Sequence, residues 1–333
     1  MQSDQLKRRE FIAALGGAAA WPVAARAQQQ PTLPMIGFLQ AGSADAFAPF
    51  AAAFRNGLRE AGYVEGQNVT VDYHWLEGRY DRLPEVIADL IRRGVAVIVT
   101  PGTTQAALAA KAATATIPIV FAVAEDPVKL GLVASLAQPG GNATGINFFV
   151  DEIVAKRLGL LHDLVPKAAR IAVLVNPANV PITETMLRDI PEAARVLGLQ
   201  VQFLNASTSP EIEAAFATIA RERADALFVA PDALFVSRRG QISTLAAYNR
   251  LPTSVPNRAM VEAGLLMSYG TSVPDFFRQV GIYTGSILKG AKPADLPVLQ
   301  TTKFEFVINL QTARALGIEV PNSIQLLADE LIE

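Results

Sequence analysis

The chain has 333 residues, 51% of them hydrophobic, which is enough for about two ordinary domains with two buried cores. Lys and Arg number 29 against 31 Asp and Glu, a formal net charge of -2, so there is no basic excess to neutralise a nucleic-acid backbone or grip an anionic membrane. With no cysteine and two histidines, His74 and His162, thiolate, disulfide and histidine-built zinc chemistry fall away, and no cofactor or metal is expected.

In chain order, residues 1–27 read as an export signal. Lys7, Arg8 and Arg9 form a basic region, Phe11 to Val23 an apolar stretch, and Ala25-Arg26-Ala27 a small-x-small cleavage site. The apolar stretch is too short and too rich in Gly and Ala to span a bilayer, which takes about 20 strongly apolar residues. Arg8-Arg9-Glu10-Phe11-Ile12 resembles the twin-arginine signal for folded cargo, with an ordinary secretory signal as the alternative. No cysteine is present for a lipid tether, so the expectation is a free periplasmic monomer.

From Leu33 short apolar runs alternate with amphipathic stretches, the pattern of βα units around a parallel sheet. Strands are predicted at Met35–Leu39, Val69–Trp75, Val95–Val99 and Ile117–Phe121, with helices at Ala48–Ala61, Arg82–Arg93, Thr104–Ala113 and Val128–Ala137. The turn-forming cluster Gln138-Pro-Gly-Gly-Asn142 interrupts the period, and Thr144–Phe148 resumes it. A second series follows, with helix Glu152–Leu164, strand Ile171–Val175, helix Thr183–Leu197, strand Leu199–Leu204, helix Glu211–Arg223, strand Ala226–Val229 and helix Ser237–Arg250. Short strands Thr253–Val255 and Leu265–Tyr269, helix Pro274–Leu288, strand Phe304–Ile308 and helix Leu310–Leu316 complete the chain. The fold class expected is α/β, with two doubly wound parallel-sheet lobes in tandem.

Ligands of open α/β sheets sit beyond the carboxyl ends of the strands. Three such ends are alike: Thr100-Pro101-Gly102-Thr103-Thr104, Asn176-Pro177-Ala178-Asn179 and Ala230-Pro231-Asp232, each with a proline that stops the strand. Gly102 lets backbone approach a ligand, and Thr100, Thr103 and Thr104 precede a helix whose free N–H groups attract an anion, so this loop is a candidate carboxylate cradle. Asp126 and Asp232 are candidates for a ligand ammonium, and plain helix capping is the competing role for both aspartates and for Thr103. Ser43, Asp45 and Phe47 follow the first strand. Phe148, Phe149 and Tyr269 lie near the expected crossings and Phe235 near Asp232, where aromatics could cover a flat ligand or simply belong to the core. Gly140–Gly145 precedes a strand rather than following one and is no dinucleotide fingerprint. No nucleophile-elbow pattern is present.

Ile117–Phe121, Asp126-Pro127 and above all Gly131-Leu-Val-Ala-Ser-Leu-Ala-Gln-Pro-Gly-Gly-Asn-Ala-Thr-Gly145 resemble the substrate-binding proteins of ABC importers, in the family that includes tryptophan and tyrosine binders. The resemblance runs from Pro34 to about Ala328. It implies a type I periplasmic-binding-protein fold, two lobes closing on a small molecule about a three-segment hinge, and an inner-membrane ABC permease as partner. The hinge passes would fall near Gly145–Phe148, Tyr269–Ser272 and Pro297–Thr301. Lobe 1 would then comprise 32–146 plus 272–297, and lobe 2 147–271 plus 298–333. Relatives with known ligands bind aromatic amino acids, an expectation the fold alone does not transfer. An exported α/β hydrolase and a ligand-sensing receptor on the same fold are the alternatives; a DNA-binding regulator is set aside, because an export signal stands where its helix pair would be.

Overall fold

The computed structural model describes residues 33–148 and 151–333, without the side chains of 151 and 152. The expected export signal and Phe149 lie outside the described residues.

Continuous apolar runs become central strands and alternating runs become edges. In β3 (Val97–Pro101) and β4 (Ile119–Val123) every residue is buried, as required when helices cover both faces of a parallel sheet. β1 (Met35–Gln40) lies between β3 and the edge strand β2 (Thr70–Trp75), whose residues are all half-buried and whose Asp72 and His74 put polar groups on the exposed edge. With β5 (Ala143–Asn147) and the two-residue β11 (Leu299–Gln300), the first sheet has the order β11-β5-β4-β3-β1-β2, all parallel.

The second sheet repeats the plan. Its strands are β6 (Arg170–Val175), β7 (Gln200–Asn205), β8 (Ala226–Val229), β9 (Thr253–Val255), β10 (Met267–Thr271), β12 (Phe304–Asn309) and β13 (Glu330–Ile332), in the order β13-β12-β10-β9-β8-β6-β7. Only the β10–β12 pair is antiparallel. In each sheet the first strand of the series sits between the second and the third, so each has a topological switch point, at β1 and at β6.

Helices α1 (Ala44–Glu60), α2 (Leu83–Arg92) and α3 (Thr104–Ala113) connect the first sheet. Helices α4 (Asp151–Leu164), α5 (Val180–Leu197), α6 (Ser209–Glu222), α7 (Ala233–Ser237), α8 (Arg239–Tyr248) and α9 (Arg258–Glu262) connect the second. The chain then returns. Helix α10 (Val273–Leu288) lies along α1 of the first lobe at backbone contact distance, because Gly57 and Gly281 leave no side chain between them. A Cβ on Gly57 would stand 1.9 Å from the Arg278 carbonyl oxygen, and one on Gly281 2.2 Å from that of Phe54. Helices α11 (Leu310–Leu316) and α12 (Asn322–Gln325) finish the second lobe. The backbone therefore changes sheets three times, after Asn147, after Thr271 and after Gln300, and Met35–Glu333 forms one compact unit.

Two expectations need correction, and three short elements were not anticipated. Val128–Ala137 is a series of turns, not a helix: the Asp126 carboxylate accepts from the Val128 and Lys129 N–H groups, and Gly131 at φ +73° turns the chain out after one turn. The single helix expected over Ser237–Arg250 is two, α7 and α8, broken at Arg238. The edge strands β11 and β13 and the short helix α9 are too brief to carry a readable period.

Candidate functional site

The carboxyl ends of the strands from both sheets, with α4, α5 and α10, line one cavity of about 920 Å³ of atom-free space, mouth included. The first lobe and α10 supply mostly apolar surface: Phe47, Phe50, Pro101, Gly102, Phe276 and Phe277. These rings pack on one another, Phe50 against Phe277 at 5.5 Å, Phe276 against Phe277 at 5.0 Å, and Phe148 stacked on Phe276 at 4.8 Å. Gly102 sits at φ +74°, a conformation that favours glycine, and a Cβ there would make only ordinary contact with the Phe276 ring at 3.7 Å.

The second lobe supplies the charge. Asp232 follows β8 and caps α7, its Oδ1 accepting from the Leu234 N–H at 2.8 Å. Its two oxygens also accept from Asn176 Nδ2 at 3.1 Å and Asn179 Nδ2 at 2.9 Å, and the Tyr80 hydroxyl reaches it from the first lobe. Burial pushes its carboxyl above the ordinary aspartate value, against these hydrogen bonds, which favour the ionised form. Burial, and then the charge of Asp232, raises the Tyr80 hydroxyl well above its usual value in turn.

Arg157 of α4 is 1% exposed and lines the same cavity. Its Nη2 donates to the carbonyl oxygens of Val229, at 2.8 Å, and Ser254, at 3.0 Å, where β8 and β9 end, and its guanidinium carbon stands 4.0 Å from the centre of the Phe228 ring. Burial pulls its pKa down to about 9, so it is still a cation at neutral pH.

Of the residues expected from sequence, Phe47, Gly102, Thr104, Phe148, Asn179, Asp232 and Tyr269 line this cavity. Asn176 stands behind Asp232 as a donor, its own Oδ1 accepting from the Ser207 hydroxyl at 2.7 Å. Others are not brought there. Thr100 is fully buried in β3, and the Thr103 hydroxyl bonds Gln40 Oε1 and the Ala41 N–H inside the first lobe. Ser43 and Asp45 line a separate polar recess with Glu77, Ser237 and Arg238, because α1 begins one turn outside the cavity mouth. Asp126 spends its carboxylate on its own turn and faces an outer groove beside α5, and Phe235 is fully buried core. Capping describes Asp126; Asp232 is both cap and cavity wall.

Sequence reasoning missed Arg157, Tyr80, Gln40, Asn257 and the Phe50, Phe276 and Phe277 rings. Arg157 was detectable, since it occupies the apolar face of α4 with Ile153, Val154, Leu158 and Leu161. Neither histidine lines the cavity: His74 bonds Asp72 at 2.8 Å on the outer edge of the first sheet. Among the described residues no cluster of three or more His, Cys, Asp or Glu could hold a metal ion, and no helix is long and apolar enough to cross a membrane.

The fold carries two switch points with a cavity at the strand ends of both sheets, and residues 35–332 match the family model described as ABC transporter substrate binding protein. The chain belongs to that family. This substrate binding protein is 28% identical, over 80% of its length and 76% of the relative's, to a tyrosine-binding protein of Clostridioides difficile. It is 28% identical, at a TM-score of 0.80, to an ABC domain from Streptococcus pneumonia in complex with L-Trp, covering 90% of this chain and all of that one. A substrate binding protein with adhesive properties from Clostridium difficile, in its ligand-free, open structure, is 26% identical over 90% of this chain and 99% of that one, with a TM-score of 0.61. Type I periplasmic binding proteins with far lower identity share the fold.

Proposed function

We propose that this substrate binding protein captures an amino-acid zwitterion with an aromatic side chain between its two lobes and delivers it to an ABC permease. The observation that carries the reading is Asp232, a buried carboxylate on one side of a cavity whose opposite side is walled by Phe47, Phe50, Phe276 and Phe277. A ligand ammonium would supply the charge that its burial lacks, and the rings of Phe47, Phe148, Phe276 and Phe277 would cover the side chain. The ligands named for the relatives from Clostridioides difficile and Streptococcus pneumonia, tyrosine and L-Trp, support the same class.

Capture would proceed by closure about the three passages between sheets. Support comes from bonds across the cleft. The Ser43 N–H donates to Ser237 Oγ at 3.1 Å, Gln105 Nε2 to the Ala178 carbonyl at 2.6 Å, and Tyr80 meets Asp232. The higher TM-score against the L-Trp complex than against the open, ligand-free relative is in keeping with a closed arrangement. The exported-hydrolase alternative finds no imidazole base at the cavity.

A thermal-shift screen of the purified protein against the twenty amino acids and their deaminated acids tests this. Tyrosine, tryptophan or phenylalanine should raise the melting temperature, since a ligand at a hundred times its Kd stabilises the folded state by about 2.7 kcal/mol. A shift with none of the three, or a larger shift with a sugar, contradicts the reading. We further propose export to the periplasm by the twin-arginine route. Replacing Arg8 and Arg9 by Lys should leave folded precursor in the cytoplasm, and undiminished periplasmic delivery would refute it.

A further inference from the structure

We infer that Arg157 is the receptor for the ligand's carboxylate, so that the second lobe grips both ends of a zwitterion, ammonium at Asp232 and carboxylate at Arg157. This rests on the amino-acid reading above and names the group that reads the acid.

The first argument is charge balance. Arg157 and Asp232 line one cavity, yet among the described residues neither is paired with the other or with any other ion. Asp232 is bonded to two amides and a backbone N–H and faces a tyrosine hydroxyl, and Arg157 is bonded to two carbonyl oxygens and lies over the face of a ring. Among the described residues no carboxylate forms a salt bridge with Arg157. A buried ion without a counter-charge is strongly disfavoured unless a partner supplies one, and a zwitterion supplies one of each sign.

The second is donor geometry. The two Nη2 hydrogens are committed to Val229 and Ser254, which fixes the plane of the guanidinium. Nε–H and the Nη1 hydrogens have no hydrogen bond among the described residues, and Nε is completely buried. A planar cation held through Nη2, with Nη1 unspent, is a pre-oriented donor for an oxyanion in the cavity, and an anion there would also offset the cost of the buried, unpartnered Nε–H.

The third is what occupies the alternative. The α3 N-terminus, where the Thr100–Thr104 loop would cradle a carboxylate, already holds an acid. The Thr104 hydroxyl donates to Glu125 Oε2 at 2.7 Å, and the Thr103 hydroxyl is spent on Gln40. A second carboxylate there would meet a like charge, whereas at Arg157 it meets an opposite one. Holding two strand-end carbonyls requires only a donor; a permanent cation on the apolar face of α4 is more than that task needs.

Calorimetric titration of L-tyrosine and L-tyrosinamide, which lacks the carboxylate charge, into wild type and Arg157→Gln separates these roles. Loss of the charge-assisted contact should weaken the amide relative to the acid roughly tenfold to a hundredfold in wild type. In Arg157→Gln the ratio should collapse to within about threefold, because the receptor for the difference is gone. An unchanged ratio in the variant overturns the assignment of Arg157 while leaving the amino-acid reading intact. Failure of L-tyrosine, L-tryptophan and L-phenylalanine all to bind wild type overturns both. Should Arg157→Gln not fold, Arg157→Lys, which keeps the charge and loses the fork, should give an intermediate ratio, and a wild-type ratio there overturns the proposal.

Discussion

The two walls of the cleft are built from the same βα repeat and end in different chemistry. After β1 and β3 of the first lobe the cavity is met by Phe47, Phe50, Pro101 and Gly102, backed by the Phe276 and Phe277 rings that α10 brings across. After β6 and β8 of the second it is met by Asn179 and Asp232, with Arg157 beneath the ends of β8 and β9. The apolar wall is continuous with the core, since Phe38, Phe54, Phe47, Phe276 and Phe277 belong to one hydrophobic cluster. The polar wall is instead held in place by hydrogen bonds. The same scaffold therefore assigns stability to one side of the ligand and recognition to the other, and changes on the two sides should fail in different ways.

The largest effect should come from the apolar wall. Phe277 is 1% exposed and touches the rings of Phe38, Phe47, Phe50 and Phe276, so Phe277→Ala should cost about 3–5 kcal/mol of stability. Urea denaturation of the ligand-free protein measures this. A loss below 1 kcal/mol would mean that the rings are a detachable ligand cage rather than core.

Asp232→Asn should do the opposite. Affinity for the zwitterion should fall by about 1.5–3 kcal/mol, tenfold to a hundredfold, while ligand-free stability at pH 7 changes by no more than about 1 kcal/mol, because relief of the buried charge offsets the one accepted hydrogen bond that an amide nitrogen cannot make. Burial raises this carboxyl, so its protonated form is the one the fold prefers. Wild type should therefore gain stability relative to the Asn variant as pH falls through the raised value, and lose that gain as pH rises. A variant less stable than wild type at pH 7 and equal to it at pH 3 would reverse the sign and refute a destabilised, ligand-directed carboxylate.

How much of this was legible in the sequence follows the same division. The strand ends were readable because each is a continuous apolar run stopped by proline, which is a local signal, and it led to Gly102, Asn179 and Asp232. Arg157 was not singled out, because an arginine in a helix looks solvated until its neighbours Ile153, Val154, Leu158 and Leu161 are placed on the same face. Tyr80 could not be read at all: Asp232, which it faces, lies far along the chain on the other sheet, and only the tertiary fold brings them together. Over Val128–Ala137 consecutive turns between Pro127 and Pro139 bury Leu132 and Val133 and half-bury Leu130 and Leu136, so apolar residues are covered without a helix.

Smaller effects sharpen the comparison. Tyr80→Phe removes a hydroxyl that faces Asp232 from across the cleft and should weaken binding by about 0.5–1.5 kcal/mol, with little change in ligand-free melting. An affinity equal to wild type would show that the contact plays no part in closure. Smallest is Asp72→Asn, far from the cleft. Although burial works the other way, the hydrogen bonds and charges of His74 and Arg93 hold the Asp72 carboxyl below its usual value. Its contribution is present above the ordinary aspartate pKa and is lost as pH falls through the lowered one, so the variant should lose about 0.2–1 kcal/mol at pH 7 and nothing at pH 2. Any change in ligand affinity in this variant would break the separation between the edge of the first lobe and the site.

The most direct test of the two-walled cleft is a crystal structure of the protein grown with L-tyrosine. The account predicts the ligand nitrogen within hydrogen-bond distance of an Asp232 oxygen and the ring against Phe47, Phe148, Phe276 or Phe277. A ligand whose ammonium lies on the first lobe, with its ring against α5 and Asp232 still bonded only to its own amides, would contradict it.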